Sequence, residues 1–165
     1  MTGPIQPPDL STEKDFDGEA FAPLYTTTVT VTGGTAAHGR ASGRARSDEG
    51  VLDLDLRLPA ELGGDGRGTN PEQLFAAGFA ACFHGALSLI ARQAALDPTM
   101  ISAEVTVAFD RNPQDGGYVL HIDLVVRWPG VTPDVATQLL QRADALCPYA
   151  RVAWHGTPTT ITLAS

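Results

Sequence analysis

Fourteen residues near the middle of the chain, Leu74-Phe75-Ala76-Ala77-Gly78-Phe79-Ala80-Ala81-Cys82-Phe83-His84-Gly85-Ala86-Leu87, are apolar almost without interruption. They follow Thr69-Asn70-Pro71-Glu72, a helix start. Either Thr69 caps and Glu72 closes a capping box, or Asn70 caps and Pro71 occupies the first turn. A helix that is apolar on every side must be buried on every side. In a chain of 165 residues its own sheet can cover one face but not the rest. Ala76, Ala77, Gly78, Ala80, Ala81, Gly85 and Ala86 are small enough to admit a second backbone. The pattern predicts a homodimer packed around this helix. The run is interrupted by His84 and followed by Ser88 and Arg92, and reads as too short and too polar for a membrane span.

Around this helix the chain alternates. Tyr25 to Thr32 is β-branched and predicts a strand, broken by Gly33-Gly34. Gly43 to Ser47 and Val51 to Leu58 predict two more, the last with leucines on one face and charges on the other. Together they read as an antiparallel meander with one wet face. Gly63 to Gly68 reads as a mobile Gly-rich loop that lacks the Gly-Lys-Ser/Thr ending of a phosphate cradle. Asp97-Pro98 ends the helical region. Ser102–Asp110 and Tyr118–Trp128 predict strands either side of an Asn112–Gly117 turn, and Pro133–Leu146 predicts an amphipathic helix with Val135, Leu139, Leu140, Ala143 and Leu146 on one face. Thr159–Leu163 predicts a final strand. This order is that of an α+β fold. Residues 1–22, rich in Pro, Asp and Glu, read as a flexible extension or an arm lying on a partner subunit, with residues 23–165 as a single domain.

The net charge of −8 argues against nucleic acid or an anionic membrane as partner. The two cysteines, Cys82 and Cys147, are too few for a disulfide-stapled secreted scaffold, and the N-terminus carries no signal-peptide pattern. The expected compartment is the cytoplasm, where thiols start reduced.

Cys82 is either a small core residue or a specifically activated nucleophile, since an apolar setting alone disfavours the thiolate. Activation requires a positive group. Arg40 in the loop after the first strand is the best candidate, with Arg44 and Arg46 as fallbacks. His84, two residues on, points about 200° away around the helix and is discounted. Glu72, ten residues before Cys82, lies about 15 Å of helical rise away. The two meet in one site only across a dimer interface, unless the helix breaks at Gly78. A carboxylate so near a thiol would oppose its ionisation, so Glu72 is expected to hold an arginine that in turn holds the thiolate. A zinc site from Cys82, His84, Cys147 and His155 is disfavoured because Cys-x-His on a helix does not aim both ligands at one point. Read alone, Cys147 before Pro148 fits a structural residue at a helix end.

The run Leu58-Pro59-Ala60-Glu61-Leu62-Gly63-Gly64, the block Gly68-Thr69-Asn70-Pro71-Glu72-Gln73-Leu74 through Ala81-Cys82-Phe83, and Cys147-Pro148-Tyr149 resemble the organic hydroperoxide resistance branch of the OsmC/Ohr family, over about Leu24 to the C-terminus. The resemblance implies two antiparallel β-meanders packed around central buried helices in an intertwined homodimer. It implies a thiol peroxidase with Cys82 as peroxidatic and Cys147 as resolving cysteine, Glu72 as the active-site glutamate, and Arg40 as the active-site arginine. Extra residues in that loop leave Arg44 as the alternative. It further implies an alkyl or fatty-acid hydroperoxide as substrate, a dithiol on a lipoylated protein as reductant, and no metal, haem or flavin. The OsmC branch proper, with a different substrate range, and a non-enzymatic redox-sensing or binding protein on the same scaffold are the competing readings.

Overall fold

A computed structural model describes residues 23–34 and 42–164. The proposed extension at 1–22 lies outside the described residues, as does Arg40. The chain divides into two compact units, Met1–Leu74 and Phe75–Ser165.

The first unit holds the predicted meander. Strands β1 (Val29–Thr32), β2 (Gly43–Ser47) and β3 (Asp53–Leu56) pair antiparallel in that order. The register sets Val31 opposite Ala45 and Arg44 opposite Asp55. Period-two alternation buries Ala45 and Ser47 while Arg44 and Arg46 face out. The first strand is shorter than its β-branched run, and ahead of it the Asp48 N–H donates to the Thr28 carbonyl at 2.9 Å while side chains add further ties. Tyr25 Oη donates to Glu49 at 2.6 Å, and Thr27 Oγ1 to Asp48 at 3.3 Å. The Gly-rich loop is tied back: a single 3-10 turn over Ala60–Leu62 precedes it, and the Gly64 and Gly66 N–H groups donate to the Pro59 and Leu58 carbonyls at 2.9 and 3.1 Å. Gly64 must be glycine, since a Cβ there would run into the Leu58 carbonyl.

Helix α1 runs from Pro71 to Gln93 without a break at Gly78. Of the two possible starts, the structure uses Asn70, whose Oδ1 accepts from the Gln73 N–H at 2.8 Å with Pro71 following. In the second unit α1 is joined by β4 (Ser102–Arg111), β5 (Tyr118–Arg127), α2 (Pro133–Leu146) and α3 (Pro148–His155). The hairpin β4–β5 is in register from Ser102 opposite Arg127 to Arg111 opposite Tyr118. One face of α1, Phe79, Phe83, Leu87, Ile90 and Ala91, forms the core with Ile101, Leu139, Ala143, Cys147 and Ala150, and Val105, Ile122, Leu124 and Val126 of the hairpin pack against it. Leu87 and Ile90 have no exposed surface. Burying side chains of this size contributes about 1.5–3 kcal/mol each.

The architecture is α+β as expected, with three departures. The last predicted strand does not form: residues 159–163 pair with no strand among the described residues, and Ile161 and Leu163 are 94% and 96% exposed. Their alternation supplies a side-chain pattern, but a strand also needs a neighbour to hydrogen-bond, so the second meander is a two-stranded hairpin. The chain also forms α3, which was not anticipated. Finally, α1 is not too short or too polar to span a membrane by length and composition alone. It has 23 residues and a window of mean hydropathy 1.8, so it meets both criteria that many core helices also meet. Its buried face packs on its own hairpin, while Ala77, Ala81 and Gly85 stay exposed. The all-round burial predicted for this helix is therefore met on one face within a single chain.

Candidate active site

The second unit brings the two cysteines together from 65 residues apart: the Sγ atoms of Cys82 and Cys147 lie 3.3 Å from each other, both as free thiols. Cys82 is on α1 one turn after Phe79, at the edge of the buried stripe and half-buried. Cys147 is the joint between α2 and α3. Its own N–H closes α2 by donating to the Ala143 carbonyl at 2.8 Å, and its carbonyl opens α3 by accepting from the Arg151 N–H at 3.1 Å. Pro148 forces this joint. It cannot donate to continue α2, it disfavours helical backbone at the residue before it, and it suits the first turn of α3. Cys147 accordingly has φ −71° and ψ 116°.

Cys147 is fully buried. Burial pushes its thiol up to about 11, with the neighbouring Cys82 sulfur acting in the same direction against hydrogen bonds from the Ala150 and Tyr149 backbone N–H groups. It therefore remains a thiol at neutral pH, able to donate its S–H to the Cys82 sulfur. A consequence for stability follows. An unfolded cysteine loses its proton near pH 9, and the folded state keeps it until about 11. Between these values the folded state binds more protons, so stability falls as pH rises. Urea midpoints of the reduced protein between pH 8 and 10.5 are expected to decline more steeply for wild type than for Cys147→Ala; parallel declines would contradict the burial of a protonated thiol.

Around the joint, the Tyr149 ring packs against Phe75 and Phe79 with centroids 6.4 and 6.1 Å away. Phe79 also lines an apolar cavity of about 560 Å³, with Phe83, Ile122, Leu124, Leu140 and Trp154 among the other lining residues. Gln141 and Asp144 are its polar lining residues, and the Asp144 carboxylate accepts from Trp154 Nε1 at 3.2 Å.

The remaining candidates are placed as follows. Glu72, in the first turn of α1, is half-buried. Because Asn70 and not Thr69 provides the cap, its carboxylate is not drawn into a capping box. Arg44 is on the exposed face of the first sheet, its Nε 2.6 Å from Asp53 and its Nη1 3.2 Å from Asp55. The hydrogen bond from Arg44 holds the Asp53 carboxyl below its usual range. Arg46 is exposed on the same strand. His84 is turned to structural use, with Nε2 3.2 Å from the Ile101 carbonyl. Sequence reasoning missed α3 and the seating of Tyr149, although Pro148 directly after a helix end is a start signal that points to a second helix.

The fold is that of a known class. The family model for OsmC-like proteins matches residues 64–162, and the chain belongs to the OsmC-like family. Within it the similarity is to the organic hydroperoxide resistance branch. The organic hydroperoxide resistance protein of Xanthomonas axonopodis pv. citri is 41% identical over 143 residues, covering 86% of this chain and 95% of that one. The crystal structure of the organic hydroperoxide resistance protein OhrB of Bacillus subtilis is 38% identical with a TM-score of 0.69, covering 81% of this chain and 93% of that one. That of an organic hydroperoxide resistance protein from Legionella pneumophila is 36% identical with a TM-score of 0.72, covering 82% and 93%.

Proposed function

We propose that this protein is a cysteine-based, dithiol-dependent peroxidase that reduces organic hydroperoxides to alcohols. The observation that carries the reading is the 3.3 Å approach of Cys82 and Cys147. The Cys82 thiolate attacks the distal peroxide oxygen. The O–O bond breaks, the alkoxide leaves and takes a proton as the alcohol, and Cys82 becomes a sulfenic acid. Cys147 sulfur then attacks the sulfenate sulfur, water leaves, and a Cys82–Cys147 disulfide forms. Closing that bond needs an S–S distance of about 2.05 Å, a short step from 3.3 Å. A dithiol, as on a lipoylated protein, reduces the disulfide by exchange and is itself oxidised to a cyclic disulfide.

The division of labour between the thiols suits this sequence. Cys82 is the more accessible, as an attacking sulfur must be. Cys147, buried and protonated, is shielded from bulk peroxide and acts only once Cys82 is oxidised. The apolar surround of Cys82 on α1, with Phe79 one turn before it and Phe83 next to it, favours an alkyl or fatty-acid hydroperoxide over hydrogen peroxide. Arg40 is the proposed partner of the Cys82 thiolate and Glu72 the carboxylate that orients it. Arg44 is a weaker candidate, since Asp53 and Asp55 already engage its guanidinium.

The working form in this reading is a homodimer. Ala77, Ala81 and Gly85 leave a flat exposed stripe on α1, and Val29, Val31, Ile161 and Leu163 are apolar side chains at 47%, 55%, 94% and 96% exposure. A second copy would cover these surfaces and give residues 159–163 a strand to pair with. The continuity of α1 through Gly78 keeps the two-subunit origin of Glu72 and Cys82 as the expected arrangement. The test is turnover: the reduced protein is expected to consume cumene hydroperoxide with dihydrolipoamide as the only reductant, and faster than hydrogen peroxide. No consumption would favour a sensing or binding role on the same scaffold.

A further inference from the structure

We infer that Tyr149, seated on Gly78, is the positioning residue that holds Cys147 beside Cys82 for disulfide formation. The inference rests on the peroxidase reading and adds to it a residue that sets the speed of one step. Phe75, Gly78, Phe79 and Cys82 stand at i, i+3, i+4 and i+7 on α1, one stripe of the helix. The α2–α3 joint docks along this stripe at two points. Cys147 meets Cys82, and two residues later the Tyr149 ring meets the other three positions.

Gly78 is the notch in that stripe. A Cβ built on it would lie 3.0 Å from Tyr149 Oη, 3.2 Å from Cε1 and 3.3 Å from Cζ. Glycine is unfavourable inside a helix, and this one sits in the eighth position of a 23-residue helix. The close approach of the tyrosine ring supplies its reason. The link between the two docking points is Pro148 alone, with its φ fixed by the pyrrolidine ring. A displacement of the ring is therefore carried to Cys147 with little slack. The sulfurs must close from 3.3 Å to bonding distance, so a shift of a few tenths of an ångström changes how often they reach it.

The experiment separates the two chemical steps in Gly78→Ala, Tyr149→Ala and Tyr149→Phe. Stopped-flow mixing with cumene hydroperoxide reads Cys82 sulfenate formation and then Cys82–Cys147 bridging; diamide reads bridging without any peroxide. Tyr149→Ala is expected to slow bridging about tenfold or more and Gly78→Ala several-fold, with sulfenate formation within about twofold of wild type. Both should accumulate Cys82 sulfinic acid at high peroxide, because the sulfenate waits longer. Tyr149→Phe keeps the ring and should bridge at the wild-type rate. Gly78→Ala should retain or raise thermal stability while bridging slows, a combination that a purely structural glycine would not produce. Wild-type bridging rates in both Gly78→Ala and Tyr149→Ala, or equal slowing of both steps, would overturn the inference. If Tyr149→Ala fails to fold, Gly78→Ala decides. Wild type that bridges with diamide but not with hydroperoxide would sink the peroxidase reading and leave the positioning role to be judged on diamide rates. Wild type that bridges with neither would end the positioning role as well.

Discussion

Cys82→Ser is expected to lower dithiol-dependent consumption of cumene hydroperoxide on the order of a thousand-fold or more, to the rate of the reductant alone. The hydroxyl is isosteric but stays protonated at neutral pH, and its oxygen lacks the polarisable lone pair that attacks a peroxide bond. Cys147 cannot take over. It has no exposed surface, and burial keeps it protonated up to about pH 11. Its sulfur lies 3.3 Å from that of the more accessible Cys82. The companion variant Cys147→Ser should behave differently. One equivalent of hydroperoxide should still be reduced at a rate near wild type, leaving a sulfenate that dimedone traps, while steady turnover with the dithiol falls. Peroxide consumption and mass spectrometry of the trapped adduct read both results. Activity of Cys82→Ser within about tenfold of wild type would assign the nucleophile elsewhere.

The parts of the fold that were legible in the sequence are those governed by local rules. Asp53-Leu54-Asp55-Leu56 alternates, and it is a strand whose Leu56 is buried. The two runs flanking Asn112–Gly117 became a hairpin ten pairs long. The face expected on α2 is present, with Leu139 and Ala143 buried, although Val135 at its start is 41% exposed. What needed a partner was not legible. Residues 159–163 have the pattern of a strand and, among the described residues, no neighbour to complete it. The apolar girth of α1 predicted burial that the described residues supply on one face. These two shortfalls have the same physical cause: alternation and helical periodicity state which surfaces want covering, and only tertiary or quaternary context states what covers them.

The candidate site divides the same way. Spacing by itself left Cys82 and Cys147 as inert residues or a redox pair, because no rule of secondary structure relates positions 65 residues apart. The resemblance to the organic hydroperoxide resistance branch singled them out, and the fold brings their sulfurs together. The seat of Tyr149 on Gly78 lay beyond the sequence for the same reason. A glycine in a helix and a tyrosine after a proline are unremarkable apart, and become a notch and its occupant only when α3 folds against α1. The choice of helix cap was written locally but ambiguously. Asn70 and Thr69 are both good caps, and the choice of Asn70 matters because it leaves the Glu72 carboxylate outside a capping box.

Arg40→Ala is expected to slow sulfenate formation about 10²–10³-fold, the cost of removing a preorganised donor from developing negative charge, whereas Arg44→Ala should leave it within about twofold. The contrast follows from where Arg44 is spent. Its guanidinium donates to Asp53 at 2.6 Å and lies 3.2 Å from Asp55 on the exposed face of the meander. This cross-strand clamp is the kind of surface ion pair worth about 0–1 kcal/mol. Its loss should show, if anywhere, as a small drop in thermal midpoint. Arg40 has the chemistry a thiolate and a peroxide both call for: a permanent charge and several donors in one plane. Arg40→Lys should restore part of the rate, since the charge returns without the planar fork. Glu72→Gln should act through the same arginine, slowing the reaction less than Arg40→Ala and adding little to it in the double variant, because two residues that work through one contact do not contribute independently. Rapid-reaction traces of sulfenate formation for the five variants against wild type decide the matter. A large loss in Arg44→Ala with Arg40→Ala near wild type would move the thiolate's partner to Arg44, and would require the Asp53–Arg44 pair to open in the working form.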